Sequence, residues 1–437
     1  MARIRIAYLG GGSSRAPGTM ASFIHHGKEF DGSHFVLIDL DPEHLEITRQ
    51  IATRMAQAAG LDITVTATTD LRAGLEDVDC VLSSFRPGNF AARAMDERIP
   101  LKYGVIGQET QGPGGLMMSL RSAQVMKQLC ATLSDVAPKA RIFNYTNPVN
   151  IVSQAVADNT EIPIVSFCEG PIVFPPVVAK AAGLDPDKLH ANMTGVNHNV
   201  WSNEATYDGQ DAIPILRDRW EELRHLPTND VNGMRALHLA VAMESIPSDY
   251  FNYFYFRDEL LREQQLAPMT RSEVIMSSLP SYWSHYTEQS AAGAPRLDPA
   301  CSRGGIHELE LAIEAISAFY NDAGARLPFN IPNDGEMLPG FAESTVVELW
   351  GTVDAKGFHP EVQKPLPHSV LGITQQLAEY QILAAHAGWT GTRKDAIQAM
   401  IAHPLVPSLT IAEAMYDELA AAQREWLPER LLGRSRS

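Results

Sequence analysis

A cysteine and a histidine each follow a short apolar run of the chain. Cys168 comes directly after Ile164–Phe167, and His198 closes the segment Gly195-Val196-Asn197-His198. Side chains at the carboxyl ends of parallel strands meet at one sheet edge, where ligands bind in open α/β folds. A thiolate and an imidazole there could hold a divalent cation and leave positions for substrate oxygens. The spacing alone favours a structural cysteine and a satisfied core histidine over a metal site.

Amide and phenol side chains occur in two further segments. Asn147 closes a strand within Asn144-Tyr145-Thr146-Asn147-Pro148, and amides of this kind can bind sugar hydroxyls. Tyr250 ends the segment Ile246-Pro247-Ser248-Asp249-Tyr250. Aromatic residues follow it closely: Phe251, Tyr253, Phe254, Tyr255 and Phe256. For most of these, a packed aromatic helix face is the simpler interpretation.

Arg303 precedes two glycines, Gly304 and Gly305. A planar guanidinium beside flexible backbone suits a bidentate contact with an anion. An ordinary surface arginine is equally consistent with the sequence.

A glycine cluster follows the first apolar run and predicts a dinucleotide site. Gly10, Gly11 and Gly12 supply a tight turn, and Ser13 and Ser14 continue it towards a helix whose start would favour a pyrophosphate. The pattern is incomplete, because Arg15 stands where a third small residue is expected. Asp39, at the end of the second apolar run, could accept both ribose hydroxyls of NAD and would repel the extra phosphate of NADP. The alternative is a plain turn and a surface aspartate.

A second glycine cluster, Gly112-Pro113-Gly114-Gly115, opens another helical stretch. Polar and charged residues flank it: Gln108, Glu109, Thr110 and Arg121. An anion-binding helix start and an ordinary glycine loop are equally consistent with this pattern.

Strand and helix patterns alternate in the first half of the chain, which predicts a doubly wound parallel sheet. The predicted strands are Arg3–Leu9, Phe35–Ile38, Val78–Ser84, Arg141–Tyr145 and Ile164–Phe167. One predicted helix, Glu43–Ala59, lies between the second and third of them.

Helical patterns dominate after about residue 201. The predicted helices are Met234–Met243, Gly305–Tyr320, Leu371–His386 and Asp395–His403. Proline-rich breaks at Leu327–Pro339 and Phe358–Pro367 indicate loops or short strands. We therefore expect a Rossmann-like NAD-binding domain over residues 1–200 and a mainly helical α+β domain for substrate binding and oligomerisation over 201–437.

The net charge of −17 disfavours nucleic acid and anionic membranes as partners. The four cysteines form no CxxC pair or short regular spacing, which fits a reducing compartment. The opening residues run directly into a strand pattern without signal-peptide architecture, and no apolar run is long enough for a bilayer. The expected location is the cytoplasm.

The motifs occur in an order that resembles the NAD- and manganese-dependent glycosidases of glycoside hydrolase family 4, which depart from two-carboxylate chemistry. The matching segments run through nearly the whole chain: Gly10–Ser13, Asp39, Gly112–Gly115 with Leu120–Arg121, Thr146–Pro148, Cys168, Gly195–His198, Pro247–Tyr250, Arg303–Gly305, Asn333–Gly335 and Leu338–Pro339. The resemblance implies a lactate/malate dehydrogenase-like fold, NAD and Mn²⁺ as cofactors, and a homodimer or homotetramer.

The resemblance also implies a mechanism. NAD⁺ takes a hydride from C3 of the sugar, a base removes the acidified C2 proton, the C1–O bond is eliminated, water adds and the hydride returns. Cys168 and His198 would ligate manganese. Tyr250 would be the C2 base, with Asp249 as its substitute.

The same match assigns the contacts with cofactor and sugar. Asn147 and Asn197 would hold sugar hydroxyls, His198 would also face the sugar, and Arg303 would face its anionic group. Gly114 and Asn147 would join the first glycine loop in contacting NAD.

One departure concerns the residue after Cys168. The family commonly has His, Asp or Asn there, whereas this chain has Glu169, a possible general acid to the leaving group. The departure puts the metal in most doubt and suggests a divergent branch. The substrates that the resemblance allows are 6-phosphoglycosides, galactosides, glucuronides and, for related NAD-dependent enzymes, sulfoquinovosides.

Two other functions fit the same fold. A lactate/malate-type dehydrogenase would consume NAD stoichiometrically, but we find no clear histidine–aspartate relay in the sequence. A non-catalytic NAD sensor would not need the many polar residues at strand ends.

Overall fold

The computed structural model describes residues 2–303 and 310–433. The described strands are β1 (Arg5–Leu9), β2 (His34–Ile38), β3 (Thr64–Thr68), β4 (Cys80–Ser83), β5 (Arg141–Asn144), β6 (Ile164–Ser166), β7 (Leu189–Val196), β8 (Asn199–Tyr207), β9 (Gln210–Asp211), β10 (Ala325–Pro332), β11 (Val346–Asp354) and β12 (Gly357–Pro360). They form one sheet in the order β3-β2-β1-β4-β5-β6-β10-β11-β7-β8-β9, with β12 paired to β11.

The described helices are α1 (Ala16–His25), α2 (Pro42–Ala58), α3 (Leu71–Leu75), α4 (Asn89–Lys102), α5 (Gly112–Val136), α6 (Val149–Ala157), α7 (Gly170–Ala181), α8 (Ala212–Leu223), α9 (Val231–Met243), α10 (Asn252–Tyr255), α11 (Arg257–Leu266), α12 (Arg271–Ala291), α13 (Glu310–Asn321), α14 (His368–Trp389), α15 (Arg393–Ala402) and α16 (Leu409–Ala422). Within the described ranges, no helix combines the length and apolar composition that a bilayer crossing requires.

The first six strands of the sheet order are parallel, and all of them except the edge strand β3 are buried on both faces. In β1, Ala7 and Leu9 join the core on one face of the sheet, whereas Ile6 and Tyr8 join the core on the other. Two-sided burial explains why these strands read as continuous apolar runs rather than alternating ones. The predicted doubly wound parallel sheet is confirmed.

The five predicted strands are all present, with boundaries shifted by up to two residues. Strand β3 was not predicted. It is rich in threonine and lies at the edge of the sheet, where only Val65 is buried. The predicted helices correspond to α2, α9, α13, α14 and α15, and residues 305–309 of the predicted Gly305–Tyr320 lie outside the described part of the chain.

The second half of the chain adds antiparallel strands to the same sheet. β10 inserts between β6 and β11, and β11 in turn pairs with β7. Residue 200 lies within β8, the second strand of the β7–β8 hairpin.

A row of buried polar residues crosses the middle of this sheet in register. The paired positions run in sequence across β4, β5, β6, β10 and β11: Ser83, Asn144, Ser166, Asn330 and Glu348. Asn144 accepts a hydrogen bond from the Ser83 hydroxyl at 2.5 Å and donates one to the Ser166 hydroxyl at 2.9 Å. This polar row ends at Glu348, opposite Gly195 of β7, and so leads to the hairpin that carries His198.

Candidate active site

The first glycine cluster forms a tight turn between β1 and α1. Gly10 has a φ of +104°, and a Cβ atom there would lie 2.2 Å from the Ser84 carbonyl oxygen, so only glycine fits. The Gly12 N–H donates to Asp39 Oδ2 at 2.9 Å, which places the carboxylate directly beside the turn. Burial raises the pKa of Asp39, although hydrogen bonds from the Leu40 and Gly12 N–H groups oppose that shift.

Ser13 and Ser14 connect this turn to the segment that carries Arg303. The Ser13 hydroxyl oxygen is buried and has no hydrogen-bond partner within the protein. Tyr286 donates its hydroxyl to the Ser14 carbonyl at 3.0 Å and accepts the Arg303 N–H at 2.9 Å. The predicted cofactor loop and the predicted anion-binding arginine therefore lie against each other.

The second glycine cluster begins α5, as predicted. Gly112 has a φ of +60°, and its N–H donates to Nε2 of His403 at 3.0 Å. A Cβ atom at Gly114 would lie 2.2 Å from the Gln108 carbonyl oxygen. This backbone contact alone explains the glycine at position 114, and its assignment to cofactor binding stays a prediction.

His198 occupies the two-residue loop of the β7–β8 hairpin in a left-handed conformation, with a φ of +65°. Its Nδ1 lies 2.9 Å from the Thr110 hydroxyl, which itself donates to Gln108 Oε1 at 3.0 Å. The Thr110 hydroxyl therefore accepts a hydrogen bond from the Nδ1–H group of His198, and the lone pair of Nε2 is left for another ligand. Burial lowers the pKa of His198 to about 4, with Glu109 opposing the shift, so the ring is neutral at pH 7.

Cys168 lies two residues beyond the end of β6 at Ser166, so its thiol lies at the carboxyl edge of the parallel sheet, as predicted. Its sulfur accepts the Gly170 N–H at 3.4 Å. Burial raises the pKa of the thiol, and the carboxylates of Glu348 and Glu169 add to that shift. Because two carboxylates adjoin it, a thiolate here needs a cation to balance the charge.

Tyr250 packs face to face on His198, with ring centroids 4.0 Å apart and planes within 8°. The backbone is tied to the same hairpin, because the Ser248 hydroxyl donates to the His198 carbonyl at 2.5 Å. Burial raises the pKa of Tyr250 well above its usual value, and the charges of Cys168 and Glu109 add to the effect. Tyr250, His198 and Cys168 therefore form one cluster.

Glu169 lies at the same cluster and accepts a hydrogen bond from the Tyr145 hydroxyl at 2.8 Å. Asp249, the predicted substitute base, has a buried Oδ1 atom without a partner, and burial raises its pKa to about 6. The predicted sugar ligands Asn147 and Asn197 each have a buried amide oxygen without a partner in the protein.

Glu348 belongs to this cluster and was missed by the sequence analysis. It is 1% exposed, and its Oε1 accepts from the amide groups of Asn197 at 3.0 Å and Asn330 at 2.9 Å. Burial raises its pKa to about 7, and Oε2 has no partner in the protein. The available signal was a single charge inside the apolar run Val346-Val347-Glu348-Leu349-Trp350.

A basic cavity of about 370 Å³ lies beside the cluster. Its lining residues are Arg15, Arg93, Glu109, Arg271, Val274, Ile275, Ser278, Tyr282, Ser302 and Arg303. Burial and the positive charges of Arg15, Arg86 and Arg93 lower the pKa of Arg303 to about 9.

Glu109 is the acidic residue of the basic cavity. It pairs with Arg86 at 2.5 Å and with Arg93 at 3.0 Å. Burial opposes its ionisation, but these guanidinium groups outweigh burial and lower the pKa of Glu109 to about 2. One carboxylate among four guanidinium groups leaves the cavity suited to an anion.

An aromatic cavity of about 310 Å³ has Tyr250 in its wall. Its lining residues are Gln108, Phe174, Asn232, Asp249, Tyr250, Asn252, Tyr253 and Leu260. Gln108 and Glu109 are neighbours in sequence, so one loop separates the two cavities.

The residues at the first turn fit a dinucleotide, because Gly10 allows close backbone approach, Gly12 holds Asp39 in place and the Ser13 hydroxyl lacks a partner. In the described ranges, no group of three or more His, Cys, Asp or Glu side chains is arranged to hold a metal. Cys168 and His198 therefore fit a cation only as a two-residue site that is completed by other oxygens.

Comparisons with known proteins agree with this geometry. The model of family 4 glycosyl hydrolases matches residues 5–184, and that of the family 4 C-terminal domain matches residues 193–406. A probable 6-phospho-beta-glucosidase of Bacillus subtilis is 33% identical over 98% of both chains.

Solved structures share the fold. A 6-phospho-alpha-glucosidase from gut microorganisms in complex with NAD and Mn²⁺ superposes with a TM-score of 0.85 at 22% identity, over 98% of this chain and 100% of that one. The 6-phospho-beta glucosidase of Thermotoga maritima with NAD and glucose-6-phosphate gives 0.82 at 24%, over 97% and 99%.

A malate dehydrogenase of Plasmodium falciparum gives a TM-score of 0.51 at 10% identity, over 91% of this chain and 99% of that one. The expected dehydrogenase-like fold is confirmed. With both family models matched along most of the chain, the protein belongs to glycoside hydrolase family 4.

Proposed function

We propose that this enzyme hydrolyses a 6-phosphoglycoside by transient oxidation at C3, deprotonation at C2 and elimination at C1. The observation that carries the proposal is the basic cavity beside the Cys168–His198–Tyr250 cluster, in which Arg93 and Arg303 adjoin Glu109. Among the 6-phospho, 6-sulfo, uronic and galactosyl substrates that the sequence analysis allows, phosphate is favoured by the names of the relatives. These names include both alpha- and beta-glucosidases, so they favour neither anomer.

NAD would be held by Gly10–Ser14 and Asp39, with Gly114 and Asn147 nearby, and Mn²⁺ by Cys168 and His198. When bound, NAD supplies a hydride acceptor for C3, and the cation supplies a Lewis acid for the sugar oxygens. Structures of family members with both groups support this assignment.

Side chains of the protein carry out the proton transfers and hold the sugar hydroxyls. Tyr250 removes the C2 proton, and its contact with His198 keeps it beside the cation site, where a bound cation would lower the pKa that burial raises. Asn147 and Asn197 hold sugar hydroxyls through amide oxygens that lack protein partners. Glu169, oriented by Tyr145, protonates the leaving group.

In this proposal the two predicted domains, which meet at about residue 200, have different functions. Residues 1–200 bind NAD and contribute Cys168 and His198. Residues 201–437 contribute Tyr250 and Arg303 and carry the surfaces for a homodimer or homotetramer.

A substrate panel tests the proposal. Nitrophenyl glucosides and galactosides of both anomers, plain, 6-phosphorylated and 6-sulfonated, are assayed with NAD and Mn²⁺. We expect release of nitrophenol from a 6-phosphorylated member with only catalytic NAD. If the neutral glycosides react as fast as the 6-phosphorylated ones, the basic cavity does not bind the phosphate group of the substrate.

Arg303→Lys should raise KM for the 6-phosphorylated substrate more than it lowers kcat, because the anion contact exists in ground and transition states alike. Arg257→Lys, on the exposed start of α11, is the matched control. Net accumulation of NADH would instead indicate a dehydrogenase, whose fold this chain shares.

A further inference from the structure

A single buried tyrosine lies between the predicted cofactor loop and the predicted anion-binding arginine. Tyr286 belongs to α12 and is 0% exposed. Its ring packs edge to face on Trp283 with 5.4 Å between centroids, and Trp283 stacks on His44 of α2 at 3.5 Å. These contacts hold the tyrosine against the part of the chain that carries the first glycine cluster.

The hydroxyl group of Tyr286 makes two hydrogen bonds, and each leads to a different site. It donates its hydrogen to the Ser14 carbonyl oxygen at 3.0 Å and accepts the Arg303 N–H at 2.9 Å. A phenol has only one hydrogen to donate, so the donor is fully used by this arrangement. Because both partners are backbone groups, the hydroxyl links the positions of two chain segments rather than two charges.

Each side of this link carries a buried hydroxyl without a partner in the protein. On the cofactor side it is Ser13 Oγ, and on the anion side it is Ser302 Oγ, which belongs to the lining of the basic cavity. A buried polar atom without a partner costs free energy that a ligand can recover. Ligands are therefore indicated on both sides of Tyr286, a dinucleotide at the first turn and an anion in the basic cavity.

The side chain of Arg303 contacts the same surroundings. Its guanidinium carbon lies 4.5 Å from the centroid of the Phe90 ring, and Nη1 lies 3.5 Å from Ser14 Oγ. A long arginine side chain loses rotamer freedom when a ligand orders it. The loss is smaller when the backbone at Arg303 already has a fixed position, and Tyr286 fixes that position relative to Ser14.

Electrostatics alone would make the two ligands oppose each other. The pyrophosphate of NAD and the phosphate of the sugar are both anions, and each would reduce the attraction that the guanidinium groups of the basic cavity exert on the other. Mutual strengthening of binding therefore requires a contribution from positioning, and the link through Tyr286 supplies one.

We propose that Tyr286 is a positioning residue that couples the two sites, so that the dinucleotide and the phosphorylated sugar each tighten the binding of the other. The dinucleotide orders Ser14, the hydrogen bonds of Tyr286 then fix the backbone of Arg303, and the sugar phosphate meets an arginine that is already in place. This inference rests on the proposed function, since it takes NAD at the first turn and a phosphate in the basic cavity.

The test measures NADH binding by its fluorescence in the presence of Mn²⁺, with and without saturating glucose 6-phosphate. This pair of ligands offers no ketone for hydride transfer. We expect glucose 6-phosphate to tighten NADH binding by about fivefold or more in the wild-type protein, and NADH to tighten glucose 6-phosphate by the same factor. Tyr286→Phe keeps the ring and removes the hydroxyl. In this variant the factor should fall to about one or below, because only charge repulsion remains.

Tyr416→Phe is the matched control. Tyr416 is also 0% exposed, and it donates its hydroxyl to the backbone carbonyl of Leu431 at 2.9 Å. Loss of this hydrogen bond should lower the melting temperature comparably and leave the coupling factor at the wild-type value. Unphosphorylated glucose provides a second measurement on the unaltered protein. It lacks the group that Arg303 would contact, so it should not tighten NADH binding.

Three results would each overturn the inference. In the first, glucose 6-phosphate does not tighten NADH binding in the wild-type protein. In the second, Tyr286→Phe keeps the wild-type coupling factor. In the third, glucose tightens NADH binding as much as glucose 6-phosphate does. If the wild-type protein binds neither NADH nor glucose 6-phosphate, the proposed function itself fails.

Discussion

Glu348 is a single charge in the middle of an apolar strand, and its contacts explain why it is tolerated there. Its Oε1 accepts hydrogen bonds from Asn197 and Asn330, so the carboxylate orients an amide that is proposed to bind the sugar. Its charge also acts on Cys168. We therefore regard Glu348 as a positioning residue that acts through Asn197.

Glu348→Gln tests this role. Outer partners of this kind typically change metal affinity or activity by about 10–100-fold, so we expect kcat/KM to fall within that range. Glu361→Gln, which alters an exposed pair with Arg326, is the control and should change kcat/KM less than twofold or so. If Asn197→Ala is impaired but Glu348→Gln matches wild type, Glu348 does not position Asn197.

Asp39 sets cofactor preference in this account. Its carboxylate is held by the Gly12 N–H beside the first turn, where the extra phosphate of NADP would meet like charge. Fluorescence titration should give tighter binding of NAD than of NADP, and Asp39→Asn should narrow the difference by improving NADP binding. If the wild-type protein bound NAD and NADP with equal affinity, Asp39 would not set the cofactor preference.

Helix α5 links the candidate active site to the rest of the molecule. The helix begins at the glycine cluster whose preceding loop carries Thr110 and Glu109, and its middle is anchored by Arg121. Arg121 and Asp96 of α4 form a completely buried pair, with Nη2 2.6 Å from Oδ2 and Nη1 3.1 Å from Oδ1.

Asp96→Asn should destabilise the protein strongly, because it leaves the buried guanidinium of Arg121 without a counter-charge. The expected loss in free energy of unfolding is about 3–5 kcal/mol. Asp135, also on α5, forms an exposed pair with Arg72 of α3, and Asp135→Asn should cost less than about 1 kcal/mol. Comparable denaturation midpoints for both variants would show that the buried pair does not anchor α5.

The five strands that were predicted from the sequence differ in burial from β3, which was not predicted. β1, β2, β4, β5 and β6 are buried on both faces and therefore read as apolar runs, and Cys168 was found because it follows one of these runs. β3 lies at an edge and is threonine-rich, so it lacks that signal. Glu348 meets Asn197 through the pairing of β11 with β7, a long-range register that periodicity does not encode.

At the scale of the whole molecule, a chain with a net charge of −17 encloses a cavity that four guanidinium groups make locally positive. The acidic surface disfavours nonspecific anions, whereas the basic cavity is locally suited to one. The homo-oligomer and the cytoplasmic location stay predictions.

The proposed mechanism requires that the C2–H bond of the sugar breaks during hydrolysis, with Tyr250 as the base. Direct displacement at C1 never breaks this bond, so the two routes differ in the hydrogen found at C2 of the product. Turnover of a 6-phosphoglucoside in D₂O, followed by NMR of the released sugar phosphate, reads that position directly. We expect deuterium at C2. Tyr250→Phe should slow release about 10²–10⁴-fold while NAD binding stays intact. Product that is released at full rate and retains ordinary hydrogen at C2 would contradict the account.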